Sequence, residues 1–488
     1  MELSRLIADD ASLPEGAGAI QITGLTADSR QVAPGFLFAA IAGARADGAS
    51  FARAAVDRGA AAVLAAEDAA LDVAVPVARS ANARRALARA ASRFYGRQPG
   101  TIAAITGTSG KTSTAVFLRQ IWSTLGLQAA SVGTIGIVTP KGETYSGLTT
   151  PDPVGIARTM RDLADDGVSH VAIEASSHGL DQYRLDGLRL AAGVFLNLGR
   201  DHLDYHPTVE DYFRAKMRLF DELLGQGAGA VIDCDCEYAE RAAKIAEARG
   251  LALVRTGRRG RELRLLESRA EGFGQVLTLD VMGRRRDIML PLVGSFQASN
   301  ALAAAGLAIA TGTAGDQAVA ALETLSGAPG RLERAGEING AMAFVDYAHK
   351  PEAVAQALLA LRPFAAGRLI IVLGAGGDRD RGKRPLMGKA AAENADVVIV
   401  TDDNPRSETP ATIRQEILAG APDAMEIGDR AAAIHAALEM ARPGDVVLIA
   451  GKGHETGQIV GDRVLPFSDH EAVTSAIASL GNSGAAHG

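Results

Sequence analysis

Short apolar runs alternate with segments of helical periodicity along most of this chain. In the middle of the chain, the apolar runs fall at 102–106, 168–175, 192–197 and 228–232. Each run has the length of a strand, and the segments between them are long enough for helices. Strands that alternate with helices in this way predict a doubly wound, mostly parallel α/β sheet.

The same alternation starts again after a Pro-Gly break at 329–330. Further strand candidates lie at 343–345, 369–373, 397–401 and 446–450. This pattern predicts a second open α/β sheet of Rossmann-like type. The glycine-rich stretch at 374–378 lacks the G-x-G-x-x-G spacing of a dinucleotide-binding loop, so we do not expect NAD to bind there.

The first hundred residues predict a smaller α/β domain. We expect strands at 20–23, 35–40 and 60–65, and a helix at 51–58. A Pro-Gly pair at 99–100 marks the end of this region, because both residues interrupt regular structure. We therefore expect three domains, at 1–97, 98–330 and 331–488.

A glycine turn joins the strand candidate at 102–106 to a helical pattern that begins with Lys111-Thr112-Ser113. Such a turn exposes backbone N–H groups, and the start of the helix adds the positive end of its dipole. Lys111 can reach a β- or γ-phosphate, and the Thr112 hydroxyl can bind Mg²⁺. Ile105 stands where the common phosphate loop has its first glycine, so we interpret the segment as a compact nucleotide-binding variant.

Composition narrows the classes of function. The chain has 488 residues, of which 47% are hydrophobic and 22% charged, as in soluble globular enzymes. Its net charge of −7 and the absence of a long basic run argue against a nucleic-acid partner. No apolar run is long enough to span a bilayer, and the start has no signal-peptide pattern. Cys234 and Cys236 are too few for a zinc site, which fits a reducing cytoplasm.

Polar residues follow two strands of the predicted central sheet. Glu174 ends one strand, where a carboxylate can hold Mg²⁺ or can instead cap the next turn. After the next strand, Asp201, His202, Asp204 and His206 could form a metal site or serve as structural hydrogen-bonding groups. The neighbouring Ser177 and His178 do not form a hydrolase triad, because no G-x-S-x-G elbow surrounds them.

Lys216 lies on the apolar face of a predicted helix at 212–220. A buried, unpaired cation is costly, so its side chain either extends to solvent or has a lowered pKa that makes it reactive. The residue pattern alone leaves both interpretations open. Ser29 and Arg30 are similarly open, because the pair suits an anionic ligand and also suits a helix cap with a solvated arginine.

Four polar clusters follow apolar runs in the last third of the chain. They lie at 330–333, 345–351, 401–406 and 451–455. Asn404 and Arg406 flank a proline-stiffened turn that could present two donors to a carboxylate, and Glu455 could receive an ammonium group. Together these residues suit a zwitterionic amino acid, although each cluster alone is also compatible with ordinary turn chemistry.

In this order, these segments resemble the Mur ligases and the related folylpolyglutamate synthetases, from Asp28-Ser29-Arg30 to Gly451–Glu455. The resemblance implies three domains that bind, in order, the UDP end of the substrate, ATP and the incoming amino acid. It assigns ATP to Gly107, Thr108, Ser109, Gly110, Lys111, Thr112, Ser113, Asn300, Arg331 and Asp346. It assigns the UDP-muramoyl-dipeptide to Ser29, Thr149, Thr150, Ser176, Gln182 and Arg184.

The resemblance also implies the metal and amino-acid sites. It assigns Mg²⁺ to Thr112, Glu174, His202 and a carbamate on Lys216. It assigns diaminopimelate to Arg379, Asp403, Asn404, Pro405, Arg406, Gly451 and Glu455. It gives Lys111, Lys216, His202 and Glu174 the catalytic roles. Lysine-adding relatives usually lack an arginine like Arg406, so the D-N-P-R string indicates diaminopimelate, which has a second carboxylate.

The implied activity is ATP-dependent addition of meso-diaminopimelate to UDP-N-acetylmuramoyl-L-alanyl-D-glutamate through an acyl phosphate. We expect a monomer in the cytoplasm that makes peptidoglycan precursors from small-molecule substrates. A lysine-adding ligase of the same family is the nearest alternative. A nucleotide-dependent switch is an alternative from another class, and it would hydrolyse ATP without any amino acid.

Overall fold

Among the described residues, three sheets packed with helices and one two-stranded ribbon form the fold. The structure is a computed structural model, and it describes residues 1–43, 47–144, 149–199, 201–202 and 205–485. The predicted α/β class, with a largely parallel central sheet, is confirmed. Asp204, which the sequence placed near a metal site, lies outside the described residues.

The N-terminal sheet has four parallel strands in the order of the chain. They are β1 (Gly24–Thr26), β2 (Phe36–Ala40), β3 (Ala62–Ala66) and β4 (Val77–Ser80). The helices of this part are α1 (Leu3–Ile7), α2 (Ala52–Asp57) and α3 (Ala83–Tyr95), and a 3₁₀ turn covers Ser29–Gln31.

The predicted strand at 20–23 is wrong. The segment does show alternating burial, with Ile22 buried and its neighbours Gln21 and Thr23 exposed. Its backbone, however, pairs with the start of the chain, because Leu3 N–H donates to Ile20 O and Ile22 N–H donates to Met1 O. The ladder with β2 begins only at Gly24.

The central sheet has eleven strands. They are β5 (Thr101–Thr106), β6 (Ala129–Gly133), β7 (Gly136–Thr139), β8 (Gly142–Thr144), β9 (His170–Glu174), β10 (Ala192–Phe195), β11 (Gly229–Asp233), β12 (Ala252–Gly257), β13 (Leu263–Glu271), β14 (Gly274–Val281) and β15 (Arg284–Leu290). Their order is β15-β14-β13-β12-β11-β10-β5-β9-β6-β7-β8. The helices are α4 (Lys111–Thr124), α5 (Pro153–Asp165), α6 (Ser177–Asp181), α7 (Val209–Arg218), α8 (Ala239–Ala248), α9 (Ser295–Ala310) and α10 (Gly315–Ala320), and a π-helix covers Leu219–Leu223.

The register of this sheet brings several loops to one edge. Parallel pairing sets Ile105 of β5 opposite Glu174 of β9, and Thr106 of β5 opposite Phe195 of β10. The loops that follow these three strands therefore begin side by side, at the carboxyl edge where α/β sheets bind ligands.

The third sheet has six strands in the order β16-β17-β21-β18-β19-β20. They are β16 (Glu333–Ile338), β17 (Ala341–Asp346), β18 (Leu369–Leu373), β19 (Val397–Val400), β20 (Met425–Glu426) and β21 (Val446–Ala450), followed by the ribbon of β22 (Gly457–Val460) and β23 (Arg463–Pro466). Only the β16–β17 pair of the six-stranded sheet is antiparallel. The helices are α11 (Pro351–Leu361), α12 (Lys383–Asn394), α13 (Pro410–Leu418), α14 (Arg430–Glu439) and α15 (Asp469–Ala485).

The chain divides into two compact units. The first consists of 1–265, 280–284 and 300–321, and the second of 266–279, 285–299 and 322–488. The predicted domain limits at 97 and 330 stay a prediction. Within the described ranges, no helix combines the length and the apolar character needed to cross a bilayer.

Candidate active site

The glycine turn between β5 and α4 contacts two asparagine side chains, Asn300 of α9 and Asn197 after β10. Gly110 has a φ of +85°, and a Cβ at this position would lie 2.3 Å from Asn300 Oδ1. Asn197, which follows β10, accepts at Oδ1 from Thr108 N–H at 3.1 Å and from Ser109 N–H at 2.9 Å. Two backbone donors of the turn therefore point at one acceptor, the Asn197 side chain.

Two lysines share one backbone carbonyl beneath this turn. Lys111 Nζ donates to Gly107 O at 2.8 Å and to Thr108 O at 3.0 Å. Lys216 Nζ donates to the same Gly107 O at 2.9 Å and lies 4.3 Å from the centroid of the Tyr212 ring. The sequence predicted Lys111 at this loop, and the structure adds Lys216 from helix α7.

Lys216 is buried, with only 1% of its surface exposed. Burial lowers the pKa of Lys216 well below that of a free lysine, and the charge of Lys111 lowers it further. Of the two interpretations that the sequence left open, the extended, solvated side chain is therefore wrong. The buried position favours a reactive amine.

Glu174 lies at the end of β9, and its carboxylate is almost completely buried. Its Oε1 accepts from Thr134 N–H at 2.8 Å, and its Oε2 accepts from the Thr134 hydroxyl at 3.1 Å. Gly133 makes this approach possible, because a Cβ there would lie 2.1 Å from Oε1. Both oxygens are thus oriented by the end of β6.

His202 lies in a cluster of aromatic rings beside this edge of the sheet. Its ring centroid is 4.9 Å from that of His178 and 6.0 Å from that of Tyr212. Its backbone N–H donates to Asp201 Oδ1 at 3.0 Å, and its φ is +54°. Burial lowers the pKa of His202, although Asp201 acts in the opposite direction, so the neutral imidazole is favoured.

The predicted Mg²⁺ ligands fit the ion under one condition. Among the described residues, no group of three or more His, Cys, Asp and Glu side chains could hold a metal ion. The predicted set of Thr112, Glu174, His202 and Lys216 has only one carboxylate. Mg²⁺ prefers oxygen ligands, so the set suits it only when Lys216 carries a carbamate in place of its amine.

Four of the residues predicted to bind the dipeptide form one hydrogen-bonded network. The Thr150 hydroxyl donates to Glu174 O at 2.9 Å and lies 3.0 Å from the Ser176 hydroxyl. Arg184 donates to Thr150 O at 2.6 Å and to Gln182 Oε1 at 2.7 Å. Thr149 joins through its hydroxyl, 3.0 Å from that of Thr134. Five of the six predicted residues therefore lie near Glu174.

Ser29, the sixth of these residues, lies in the N-terminal sheet region. Asp28 caps the short 3₁₀ turn there by accepting from Arg30 N–H, and the Arg30 guanidinium donates to both oxygens of Asp28. The hydrogen bonds of Arg30 lower the pKa of Asp28 to about 2. This arrangement is a capped turn, and Ser29 itself faces partly toward solvent.

The predicted nucleotide-binding residues are divided between the two units. Asn300 of α9 lies in the first unit beside Gly110. Arg331 and Asp346 lie in the second unit, where Arg331 stacks over the Tyr347 ring at 4.6 Å. Asp346 accepts from Leu332 N–H and Ala348 N–H, each at 2.7 Å, and burial raises its pKa.

The residues predicted to bind diaminopimelate lie at the carboxyl ends of β18, β19 and β21. Asn404 Nδ2 donates to Glu455 Oε2 at 2.9 Å, and Gly451 leaves room for the Asp403 carboxylate. Arg406 has a φ of +51° and donates to Gly377 O at 2.9 Å. Pro405 lies in the same turn, and Arg379 is exposed on the neighbouring loop.

Sequence reasoning missed Lys452 in this group. Its side chain is fully buried, and its Nζ lies 3.1 Å from Asn404 Oδ1, 3.3 Å from Glu455 Oε2 and 3.5 Å from Asp403 Oδ1. The sequence carried no signal for its contacts with Asn404 and Asp403, because the fold brings these distant residues together.

Comparison with known proteins agrees with this geometry. Three family profiles match the chain: the Mur ligase family catalytic domain over residues 21–95, the Mur ligase middle domain over 105–308, and the Mur ligase glutamate ligase domain over 330–453. The chain belongs to the Mur ligase family. The family resemblance seen in the sequence is thereby confirmed.

Curated relatives within this Mur ligase family cover nearly the whole chain. The UDP-N-acetylmuramoyl-L-alanyl-D-glutamate–2,6-diaminopimelate ligase of Bradyrhizobium diazoefficiens is 58% identical and covers 98% of this chain and 99% of its own length. The ligase of the same name from Brucella melitensis is 53% identical, with 98% and 99% covered.

Solved structures confirm the three-domain Mur ligase architecture. A structure of UDP-N-acetylmuramoyl-L-alanyl-D-glutamate–2,6-diaminopimelate ligase superimposes with a TM-score of 0.75 at 32% identity, covering 98% of this chain and 99% of that chain. The MurF ligase of Thermotoga maritima, solved with ADP, shares the fold at a TM-score of 0.62 and 18% identity, covering 95% and 98%.

Proposed function

We propose that this Mur ligase joins meso-diaminopimelate to UDP-N-acetylmuramoyl-L-alanyl-D-glutamate and converts ATP to ADP and phosphate. The observation that carries the proposal is the convergence of Asn404, Arg406 and Glu455 at one end of the third sheet. Curated relatives named for this reaction support it, because they match over almost the full length of the chain.

Diaminopimelate carries two ammonium groups and two carboxylates, and the converging residues match that pattern. Glu455 offers a carboxylate to an ammonium group, while Asn404 and Arg406 offer N–H donors to a carboxylate. Lysine has only one carboxylate, so a site built for lysine gains less from an arginine at 406. The D-N-P-R turn therefore favours diaminopimelate over lysine.

The first step activates the D-glutamate γ-carboxylate. A carboxylate oxygen attacks the γ-phosphorus of ATP, the bond to the β-phosphate oxygen breaks, and ADP leaves with that electron pair. Lys111 neutralises and aligns the transferred group. When bound, Mg²⁺ would offset charge on the phosphate oxygens. Thr112, Glu174, His202 and the carbamate of Lys216 would hold it.

The second step forms the amide. An unprotonated amine of diaminopimelate attacks the acyl carbon of the acyl phosphate, loses a proton, and inorganic phosphate departs. Glu455 and Asn404 orient the amino acid for this attack, and most of their contribution is positional.

Carbamylation of Lys216 is part of the proposal. The uncharged amine adds to CO₂ and releases a proton, which converts a buried cation into an anion with two oxygen donors. The burial of Lys216 and its proximity to Lys111 support this step, because both features disfavour the ammonium form.

The Thr150, Ser176, Gln182 and Arg184 network would hold the dipeptide near Glu174. Arg184 suits a substrate carboxylate, and the network fixes its guanidinium through two acceptors. Ser29 would contact the UDP end. We also propose that the enzyme is a monomer and that it works in the cytoplasm, where its nucleotide-linked substrates are made.

Substitution of Arg406 tests the choice of amino acid. We expect Arg406→Ala to raise the KM for diaminopimelate about tenfold or more, since hydrogen bonds to charged groups contribute about 1.5–3 kcal/mol. The KM for ATP should stay within about threefold, because Arg406 belongs to the amino-acid site.

Arg463→Ala removes an exposed arginine of β23 and serves as the matched control. Steady-state phosphate release, with one substrate varied at a time, measures both constants. An equal rise in both KM values would contradict a role for Arg406 in amino-acid selection.

A further inference from the structure

The side-chain amide of Asn404 is held in one orientation by two donors. Its Oδ1 accepts from Lys452 Nζ at 3.1 Å and from the backbone N–H of Ile459 in β22 at 2.9 Å. Rotating the amide by half a turn would place its NH₂ group against both donors. The observed orientation is therefore the one that satisfies every group.

This orientation decides what Asn404 presents to a ligand. With Oδ1 occupied, the Nδ2 group is turned toward Glu455, to which it donates at 2.9 Å. The second N–H of the same NH₂ group is then the part of Asn404 that can meet a carboxylate. An amide turned the other way would oppose the carboxylate with an oxygen.

Lys452 is the stronger of the two restraints because it is a buried charge with several partners. None of its surface is exposed, and it also lies 3.3 Å from Glu455 Oε2 and 3.5 Å from Asp403 Oδ1. A buried ammonium among three oxygen acceptors is fixed in place, because leaving any of them unpaired is costly.

We propose that Lys452 is a positioning residue of the amino-acid site, which fixes the Asn404 amide with its NH₂ group toward the ligand carboxylate. This inference rests on the proposed function, because it names diaminopimelate as the ligand. Lys452 does not need to touch the substrate, since it acts through Asn404 and Glu455.

Lys452→Met is the direct test, because methionine fills a similar volume without the charge. We expect the KM for diaminopimelate to rise about tenfold or more, as expected for loss of a well-aligned hydrogen bond to a charged group. The KM for ATP should stay within about twofold. Lys389→Met is the control, since Lys389 is an exposed lysine of α12.

A double-mutant cycle separates positioning from a purely structural role. If Lys452 acts through Asn404, the KM of Lys452→Met/Asn404→Ala falls short of the product of the two single increases. Lys452→Gln keeps a donor at this position and should retain more affinity for diaminopimelate than Lys452→Met. Thermal unfolding of each variant shows whether it is folded.

Three results would overturn the inference while leaving the proposed function intact: an unchanged KM for diaminopimelate in folded Lys452→Met, a parallel rise in the KM for ATP, or multiplicative effects in the cycle. If Lys452→Met does not fold, Lys452→Gln is the test variant. We expect its KM for diaminopimelate to rise at least threefold. A KM within twofold of the wild-type value would overturn the inference. Wild-type enzyme that releases no phosphate with diaminopimelate would instead overturn the proposed function and this inference with it.

Discussion

At the scale of single residues, the main feature of the central site is a pair of lysines that donate to the same backbone carbonyl. Lys111 and Lys216 both donate to Gly107 O, and Lys216 is buried. Two ammonium groups at such short range repel each other, and burial penalises the charged form of the inner one. Conversion of Lys216 to a carbamate removes this conflict and supplies oxygen ligands for a metal.

Substitution of Lys216 by methionine should therefore separate stability from activity. We expect Lys216→Met to lose ligase activity, yet to be at least as stable as the wild type in CO₂-free buffer. Replacement of a buried ion pair by apolar residues is often neutral, or stabilising by about 1–4 kcal/mol, and we expect the same direction for this single buried amine. Thermal unfolding and phosphate release measure the two effects.

A direct observation of the carbamate completes this test. In buffer with ¹³C-bicarbonate, the wild type should show a carbamate carbon signal that Lys216→Met lacks. Lys141→Met, which changes an exposed lysine, should keep the signal. A signal that survives in Lys216→Met, or its absence from the active wild type, would count against carbamylation of this residue.

Side chains that act through other residues are the hardest to predict from sequence. The phosphate loop and the donors Asn404 and Arg406 were predicted from residue types and spacing, whereas the resemblance to the Mur ligases assigned Asp403 and Pro405. Lys452 was missed, because nothing in the G-K-G sequence shows that its ammonium lies among Asn404, Glu455 and Asp403. The contacts with Asn404 and Asp403, which lie about fifty positions away, depend on the fold of the sheet.

At the scale of elements, the strand–turn–helix unit of β5 and α4 was predicted correctly. Its local signals agree, since a β-branched apolar run, two glycines and an amphipathic helix follow one another. The N-terminal strand at 20–23 was misplaced, because alternation shows that a segment is extended but not which partner it pairs with. Here the partner is the chain start, Met1–Leu3.

At Gly110, both the left-handed backbone and the nearby Asn300 side chain disfavour a side chain. Gly110→Ala would place a methyl group 2.3 Å from Asn300 Oδ1 and distort the start of α4. We expect the dissociation constant of ATP to rise at least about tenfold, because the backbone donors lose their alignment.

Gly126→Ala is the matched control for this substitution. Gly126 follows the same helix, has a φ of +79°, and has open space around its Cβ position. It carries the same left-handed backbone cost of roughly 1–2 kcal/mol without the contact. Equal losses of ATP affinity in both variants, measured by calorimetry, would refute a specific role for the loop shape.

An ion pair between His470 of α15 and Glu333 of β16 links these two elements, and its strength depends on pH. His470 Nε2 lies 2.7 Å from Glu333 Oε2, and the negative charge of Asp469 also favours the protonated imidazole. The hydrogen bond with Glu333 raises the pKa of His470, so the pair stabilises the fold fully below the unfolded value of about 6.5. The contribution is lost as the pH rises through the higher folded value.

We accordingly expect His470→Gln to lower the free energy of unfolding by up to ~1 kcal/mol at pH 6 and by nothing measurable at pH 9. Denaturant titrations at the two pH values measure the difference. His435→Gln, in the neighbouring helix α14, is the control. A loss that is the same at both pH values would show that His470 acts by packing and not by charge.

At the scale of the whole molecule, the α/β class and the three-domain architecture were predicted from the alternation of strand and helix patterns and from the Pro-Gly breaks between them. The limits at 97 and 330 remain predictions. The compact units run differently, since residues 1–265 belong to one unit. The divisions fall within β13 and β14, at the start of β15, within α9 and at 321/322. Pro-Gly pairs mark breaks in regular structure, whereas the limits of a compact unit depend on which surfaces pack together.

Under the proposed function, ATP turnover by this chain depends on two specific substrates. The direct test is phosphate release from ATP and Mg²⁺ with UDP-N-acetylmuramoyl-L-alanyl-D-glutamate, in parallel with meso-diaminopimelate, with lysine, and with neither. We expect release that requires both the dipeptide substrate and diaminopimelate, with lysine a poor replacement. Equal rates with lysine would contradict the role of Arg406, and release without the dipeptide would contradict the ligase assignment itself.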